Sequence, residues 1–484
     1  MDKTVVLYPG LAVSHFVPMM QLAGVLLERG YAVSVALIGQ TLERNAAFGA
    51  VVRRTASSMP SVRIHTLLPP DHSLDSTPPS LSAFFLWYLR LVGSYNGRLH
   101  DFLCSTQRVH AVIVDSLSVE ALGVAKELGI PAYTMYTSNA TTLLASIQLP
   151  SVLGAGESSR ASFKELGDST VDFFGLPPMP ASHLLSELLQ DPESETYKAT
   201  MAAMYGIPEA DGILVNTFES LEPRAVAALM DPRCLPGRVL PPVYCVGPLI
   251  ESPPGEETIP RHECLAWLDG QPDRSVVFLC FGSVGWWAHS EEQVREIAAG
   301  LESSGHGFVW VVRAPDGGVP DLAALLPDGF LERTGGRGLV VKSWAPQVDV
   351  LRHRATGAFV THCGWNSVLE GVMAGVPMLC WPMYAEQRMN KLLMVGETGV
   401  AVEMVGWQQG LVRAGEVEAK VRLVMESQEG RELRARAAAH KDCAAVAWKH
   451  DGSGRAAFDQ FLAEVERRQP RPCGEEATDD GRVA

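Results

Sequence analysis

A chain of 484 residues, 47 % apolar and 20 % charged, has the composition of a folded globular protein long enough for two or three domains. Its net charge of −15, with no clustered run of Lys and Arg, excludes a protein built to bind nucleic-acid backbone or an anionic membrane surface. Nine cysteines without a Cys-x-x-Cys spacing resemble neither a zinc site nor a disulfide framework, and predict buried free thiols in a reducing compartment.

The chain opens "MDKTVVLYPG", an apolar run too short for a secretory signal and broken by Pro9 and Gly10. No apolar run of about 18 residues occurs, so no membrane span is expected and the expected location is the cytosol. "TVVLY" (4–8) reads as the first strand. After it, Ser14 reads as a helix N-cap and His15 as the first helical residue. A helix start disfavours the imidazolium form, so His15 is expected neutral and basic near neutral pH.

Further strands are expected at "AVSVALI" (32–38), "RIHTLL" (63–68), "HAVIVD" (110–115), "AYTMYT" (132–137) and "GILVNTF" (212–218). Helical stretches such as "FVPMMQLAGVLLERG" lie between most of them, and unalternating apolar strands alternating with helices imply a buried parallel sheet. Strand C-termini converge on one edge of such a sheet, so Asp115 at the end of 110–115 can meet His15. A carboxylate on one imidazole nitrogen fixes the tautomer and stabilises the charge after proton uptake. The aromatics of "FFLWY" (84–88), with Phe16 near the base, read either as walls for a planar ligand (Phe16, Phe84, Phe85, Trp87) or as the core face of a helix.

Pro, Gly and charge take over in "VGPLIESPPGEETIPRH" (246–262), a linker pattern. The strand pattern then restarts at 275–283, 307–313, 338–344, 357–362 and 377–382, and "SEEQ" (290–293) has the form of a capping box. The expected architecture is α/β: two Rossmann-like, doubly wound domains facing across a cleft. The first spans 1–245, the second 263–450, the helix 451–468 returns to the first domain, and 469–484 is a disordered tail.

Within the second half, "THCGWNSVLEG" (361–371) crowds polar groups between a strand end and a helix start. Ser367 and Glu370 fit a capping box by themselves. Together, His362, Asn366 and Ser367 surround the free N–H groups of a helix start, where a diphosphate would bind, with Gly364 allowing close backbone approach. Upstream, Trp344 can stack on a planar base, and Gln347 with Glu370 can hold ribose hydroxyls. Glu386 and Gln387 of "YAEQ" suit sugar hydroxyls.

The run "WAPQVDVLRHRATGAFVTHCGWNSVLEGVMAGVPMLCWPMYAEQ" (344–387) closely resembles the 44-residue signature of plant secondary-product UDP-glycosyltransferases, and weaker resemblance covers nearly the whole chain. The resemblance implies the GT-B fold, with the acceptor in the first domain and the sugar nucleotide mostly in the second. It places Trp344 and the Ala345 backbone on uracil, Gln347 and Glu370 on ribose, and Ser283, His362, Asn366 and Ser367 on the diphosphate. It places Thr137, Trp365, Glu386 and Gln387 at the sugar, with glucose favoured by Gln387. Glu386 stands where aspartate is commoner, and Ser14 where most relatives have glycine. His15 and Asp115 match the family's catalytic dyad.

An inverting transfer of glucose from UDP-glucose to a phenolic hydroxyl follows, most simply on a flavonoid. UDP-glucose is then a co-substrate, the aglycone a small molecule, and no cofactor is expected. No Asp-x-Asp occurs, so no metal is expected at the diphosphate. The expected state is a monomer without nucleic-acid or membrane partners. C-glycosylation and non-flavonoid acceptors are alternatives. A nucleotide-dependent oxidoreductase is disfavoured by the lack of Gly-x-Gly-x-x-Gly after a first strand. A non-catalytic sugar-nucleotide sensor is disfavoured by His15 and Asp115.

Overall fold

A computed structural model of the chain describes residues 3–39, 46–70, 83–152, 162–250, 261–283, 289–314 and 318–468. The expected tail, and residues 251–260 of the expected linker, lie outside the described residues. Fifteen strands are described: β1 Thr4–Tyr8, β2 Ala32–Ile38, β3 Arg63–Leu67, β4 Val109–Asp115, β5 Ala132–Tyr136, β6 Thr170–Val171, β7 Met179–Pro180, β8 Gly212–Val215, β9 Val243–Cys245, β10 Val276–Cys280, β11 Gly307–Val312, β12 Gly338–Lys342, β13 Thr356–Thr361, β14 Met378–Cys380 and β15 Ala401–Glu403.

The first sheet has the order β3-β2-β1-β4-β5-β8-β9, the second β12-β11-β10-β13-β14-β15, and every pairing within them is parallel. Both faces of each sheet are covered, which is why the strands read as unbroken apolar runs. Along β1, Val6 and Tyr8 enter one core while Val5 and Leu7 enter another. β10 repeats this, with Val276, Phe278 and Cys280 on one face and Val277 and Leu279 on the other. The period of two along a strand divides each run between two helical layers.

In each sheet the strand order reverses next to the strand that came first. β1 lies between β2 and β4, and β10 between β11 and β13. Connections leaving the two sides of such a point turn to opposite faces and leave a crevice beyond the strand C-termini. His15 and Asp115 follow β1 and β4 at one crevice; Ser283 and His362 follow β10 and β13 at the other.

The four shortest strand elements outside the main pattern went unread in the sequence. β6 and β7 pair antiparallel in a two-residue ladder, and β9 and β15 are three-residue edge strands. Helix starts also shift. The first helix is Val13–Glu28 with Ala12 as its cap, so Ser14 lies inside the first turn rather than capping it. Ser290 does cap Glu291–Ser304 by accepting from Gln293 N, but the Gln293 amide pairs with both backbone groups of Val412 instead of closing a capping box. The free thiols are mostly buried, except Cys104, which is exposed, and Cys443, which is half-buried.

The helix Ser453–Arg467 packs on the first sheet, not the second. Phe458, Phe461, Leu462 and Val465, spaced as one helical stripe, enter the core beneath β1 and β5. Phe461 meets Tyr133 and Tyr244 edge-on at centroid distances of 4.9 and 5.7 Å. Glu466 binds Lys3 and Tyr31, and Asp459 binds Arg29. The far end of the chain therefore completes the first domain. Replacing Phe461 by Ala is expected to destabilise that domain by roughly 3–5 kcal/mol. Urea unfolding, with hydrogen exchange of the β5 and β9 amides as the local readout, checks this.

Candidate active site

At the first crevice, His15 Nδ1 lies 2.7 Å from Asp115 Oδ2. Asp115 is fully buried, and its other oxygen accepts from Leu117 N at 3.0 Å. An ionised carboxylate can only accept, so Nδ1 carries the hydrogen and Nε2 keeps the lone pair. Thr137 Oγ1 stands 3.1 Å from the same Nδ1, which places Thr137 on the base. The His15 side chain is 22 % exposed, so the dyad is reachable from the cleft. Burial pushes the His15 pKa down, but the Asp115 charge, its hydrogen bond and the Glu386 charge outweigh this and raise it above the usual histidine value. The two carboxylates thus act opposite in sign to the effect expected of the helix start.

Phe16 is not part of this crevice. One residue along a helix turns the side chain by about 100°, and Phe16 is fully buried against Phe48 among Met19, Met20 and Ala23. "FFLWY" forms the start of the helix Phe84–Ser94, and its Tyr88 lies on the buried face of that helix. Tyr88 is buried and accepts from Leu11 N at 3.0 Å, which docks this helix beside the loop leading to His15. Phe84 is 38 % exposed, with Trp87 5.9 Å from it, and Phe85 and Trp87 are half-buried.

At the second crevice the helix is Trp365–Ala374, beginning two residues earlier than the sequence pattern suggests, and Gly364 caps it without a side-chain bond. Its first internal bond is Val368 N to Gly364 O, so the N–H groups of Trp365, Asn366 and Ser367 precede the helix's own ladder. Ser367 and Glu370 make no capping box. Instead the Gln347 amide donates to both, at 2.9 and 2.6 Å. Trp344 is 51 % exposed, with His262 edge-on to it at 5.7 Å, and Ala345 beside it is buried.

The His362 imidazole is wedged between two glycines. A Cβ on Gly282 or Gly364 would lie 2.6 or 2.4 Å from His362 Nε2, so each position needs glycine to make room for the ring. The missing side chain at Gly364 therefore also makes room for the histidine. Burial, then the Arg313 charge, pushes the His362 pKa down to about 4, so the ring is neutral and donates through one nitrogen. Its Nδ1 is a buried atom without a partner among the described residues.

Three turns of this domain enter the site through a residue in the left-handed region that is not glycine. Ser343 (φ 64°) precedes Trp344, Cys363 (φ 66°) precedes Gly364, and Ala385 (φ 53°) precedes Glu386. Such conformations cost on the order of 1–3 kcal/mol each and persist where surrounding packing imposes them. Nothing in the residue types signals them.

The two crevices face each other through hydrogen bonds. Asn366 Nδ2 donates to Ser14 O at 3.1 Å, joining the helix start of the second domain to the turn that carries His15. Trp365 is 3 % exposed and its indole donates to Asn216 O at 2.7 Å, so its side chain is a strut between domains and only its backbone is left for a ligand. Gln387 is likewise buried, its carbonyl taken by Met383 N and Tyr384 N at 2.9 and 3.0 Å. Glu386 accepts from Ser138, and Asn390 from Asn139. Sequence reading missed Ser138, Asn139, Asn216 and Asn390, although "YTSNATT" crowds polar residues between a strand and a helix just as "THCGWNS" does.

The helix Ala140–Val152 shows the contrast. Its start is closed by Asn139, which accepts from Thr142 N, and by buried Glu222, which accepts from Ala140 N and Thr141 N. One helix start at the cleft is sealed by its own side chains; the other, at Trp365, is left open toward the base. Among the described residues no three His, Cys, Asp or Glu side chains cluster as metal ligands.

Two facing parallel-sheet domains with this cleft define the GT-B class of glycosyltransferases. Residues 236–432 match the family model for UDP-glucoronosyl and UDP-glucosyl transferases. The chain is 37 % identical to phloretin 2'-O-glucosyltransferase of Pyrus communis, covering 96 % of this chain and 100 % of that protein. It is also 37 % identical to anthocyanidin 5,3-O-glucosyltransferase of a Rosa hybrid cultivar, covering 94 % and 97 %. A Polygonum tinctorium UDP-glucosyltransferase capable of glucosylating indoxyl superposes with a TM-score of 0.84 at 34 % identity, covering 96 % and 99 %. The chain belongs to the plant UDP-glycosyltransferase family, glycosyltransferase family 1, and is an enzyme of that family.

If His15 is the base it must be neutral to act, and activity is then lost as pH falls through its raised pKa. The acid limb of kcat/KM is expected above the ordinary histidine value of about 6.5. Asp115→Asn removes the largest raising influence and leaves burial, so it should move that limb downward while slowing turnover. A pH–rate profile of both proteins checks the sign.

Proposed function

We propose that the protein transfers glucose from UDP-glucose to a hydroxyl of a small phenolic, with inversion at the anomeric carbon. The observation that carries this reading is the Asn366–Ser14 bond of 3.1 Å, which sets an uncapped helix start opposite a histidine whose tautomer is fixed by a buried carboxylate. His15 Nε2 takes the proton of the acceptor hydroxyl, and Asp115 stabilises the resulting imidazolium. The acceptor oxygen attacks the anomeric carbon from the face opposite UDP. The leaving diphosphate gathers charge at the N–H groups of Trp365, Asn366 and Ser367, with Ser283 and neutral His362 as further donors.

Trp344, half-exposed at the lip of the cleft, supplies a stacking face for uracil, with the Ala345 backbone on its edge. The Gln347–Glu370 pair presents polar groups to ribose. The sugar meets Glu386, the Gln387 loop and Thr137. No cation stands among these sugar contacts, which supports glucose over a uronic acid. UDP-glucose is a co-substrate, and no cofactor is needed. The acceptor lies along Phe84, Phe85 and Trp87, beside the His15 loop. The relatives named for phloretin and anthocyanidin support a flavonoid-type phenol as the acceptor.

His15→Ala should cut turnover on an unactivated hydroxyl by roughly 10²–10⁴ and leave UDP affinity nearly unchanged, because the nucleotide contacts lie in the second domain. Steady-state rates on one phenol and calorimetric titration with UDP decide it; near-normal turnover would reassign the base. In equimolar competition UDP-glucose should outrun UDP-galactose and UDP-glucuronate. Excess EDTA should leave the rate unchanged, and a loss restored by Mg²⁺ would overturn the role given to the open helix start.

A further inference from the structure

Glu386 stands at the head of the helix Gln387–Leu392, directly after left-handed Ala385. Its Oε1 accepts from Ser138 Oγ at 3.1 Å and from Asn390 Nδ2 at 3.3 Å. Ser138 belongs to the first domain, so the first of these bonds crosses the cleft. A carboxylate oxygen only accepts, so the Ser138 hydroxyl is the donor, and Thr142 Oγ1 behind it lies 3.3 Å from Ser138 Oγ and 3.1 Å from Asn139 O. Thr142 sits in the sealed first turn of Ala140–Val152, where its N–H is held by Asn139 at 2.8 Å. The donor that reaches Glu386 is therefore mounted on a rigid, buried helix end. Glu386 Oε2 has no protein partner among the described residues.

Three consecutive residues after β5 thus meet three parts of the site. Thr137 touches His15, Ser138 touches Glu386, and Asn139 touches Asn390. We propose that Ser138 is a positioning residue for the donor sugar: it holds one oxygen of Glu386 across the cleft and leaves the other for a sugar hydroxyl. The bridge needs glutamate at 386. An aspartate carboxylate would stop about 1.5 Å short, the length of one carbon–carbon bond, and would stretch the 3.1 Å contact beyond hydrogen-bonding range. The inference rests on the proposed UDP-glucose reading.

A double-mutant cycle tests it, with UDP and UDP-glucose each titrated calorimetrically into the wild type, Ser138→Ala, Glu386→Asp and the double variant. Each single change should weaken UDP-glucose about 10-fold, the size of a hydrogen bond to a charged group, and leave UDP unchanged. In the Glu386→Asp background, Ser138→Ala should add less than roughly two-fold, because the contact it would remove is already gone. Additive losses, or a Ser138→Ala protein that loses UDP as much as UDP-glucose, would overturn the bridge while leaving the donor reading intact. A wild-type protein that binds neither ligand would sink the donor reading and the bridge with it.

Discussion

Asn139 and Asn390 are both fully buried, and they meet at 2.6 Å on the seam between the two domains. Neither amide is left wanting: Asn390 also donates to Cys363 O at 2.9 Å, and Asn139 also accepts from Thr142 N. A buried amide that loses its partner costs about 1–3 kcal/mol, so this pair fixes one relative placement of the domains far more sharply than apolar contact would. The rest of the cleft depends on that placement. The turn carrying His15 lies within hydrogen-bond reach of Asn366 only because the seam is closed here. Trp365 to Asn216 and Lys391 to His183, at 2.7 and 3.2 Å, hold it on either side.

The electrostatics of the cleft follow from which helix starts are sealed. Glu222 takes the N–H groups of Ala140 and Thr141 and the hydroxyls of Thr141 and Thr217, so that helix end offers nothing to an incoming anion. The helix at Trp365 keeps its N–H groups, and beyond its neutral neighbours the Arg313 charge is felt at His362. His362 is neutral because burial and Arg313 keep it so. Several neutral dipoles at a helix start favour a diphosphate there. A protein of net charge −15 can in this way take an anionic substrate.

Strain is concentrated on the donor side. Ser343, Cys363 and Ala385 all adopt left-handed backbone at the entries to the Trp344, Gly364 and Glu386 turns. The cost is borne by the close packing of the second sheet, where Cys363 is fully buried in the core.

The sequence by itself determined the layered α/β architecture, because apolar strands of period two between helical stripes have few other ways to be buried. It also determined the positions of His15, Asp115 and the "THCGWNS" helix start, since residues after parallel strands share one edge. Side-chain partners were another matter. Gln347 pairs with Glu370, Trp365 braces Asn216, and Phe16 turns into the core, because neighbouring positions on a helix point about 100° apart. Ser138 and Asn139 went unread, and their partners lie 248 and 251 residues away. The proton affinity of His15 likewise depends on Glu386, brought from the other domain. Pairings across a cleft leave no local period to read, so only the docking of the two domains decides them.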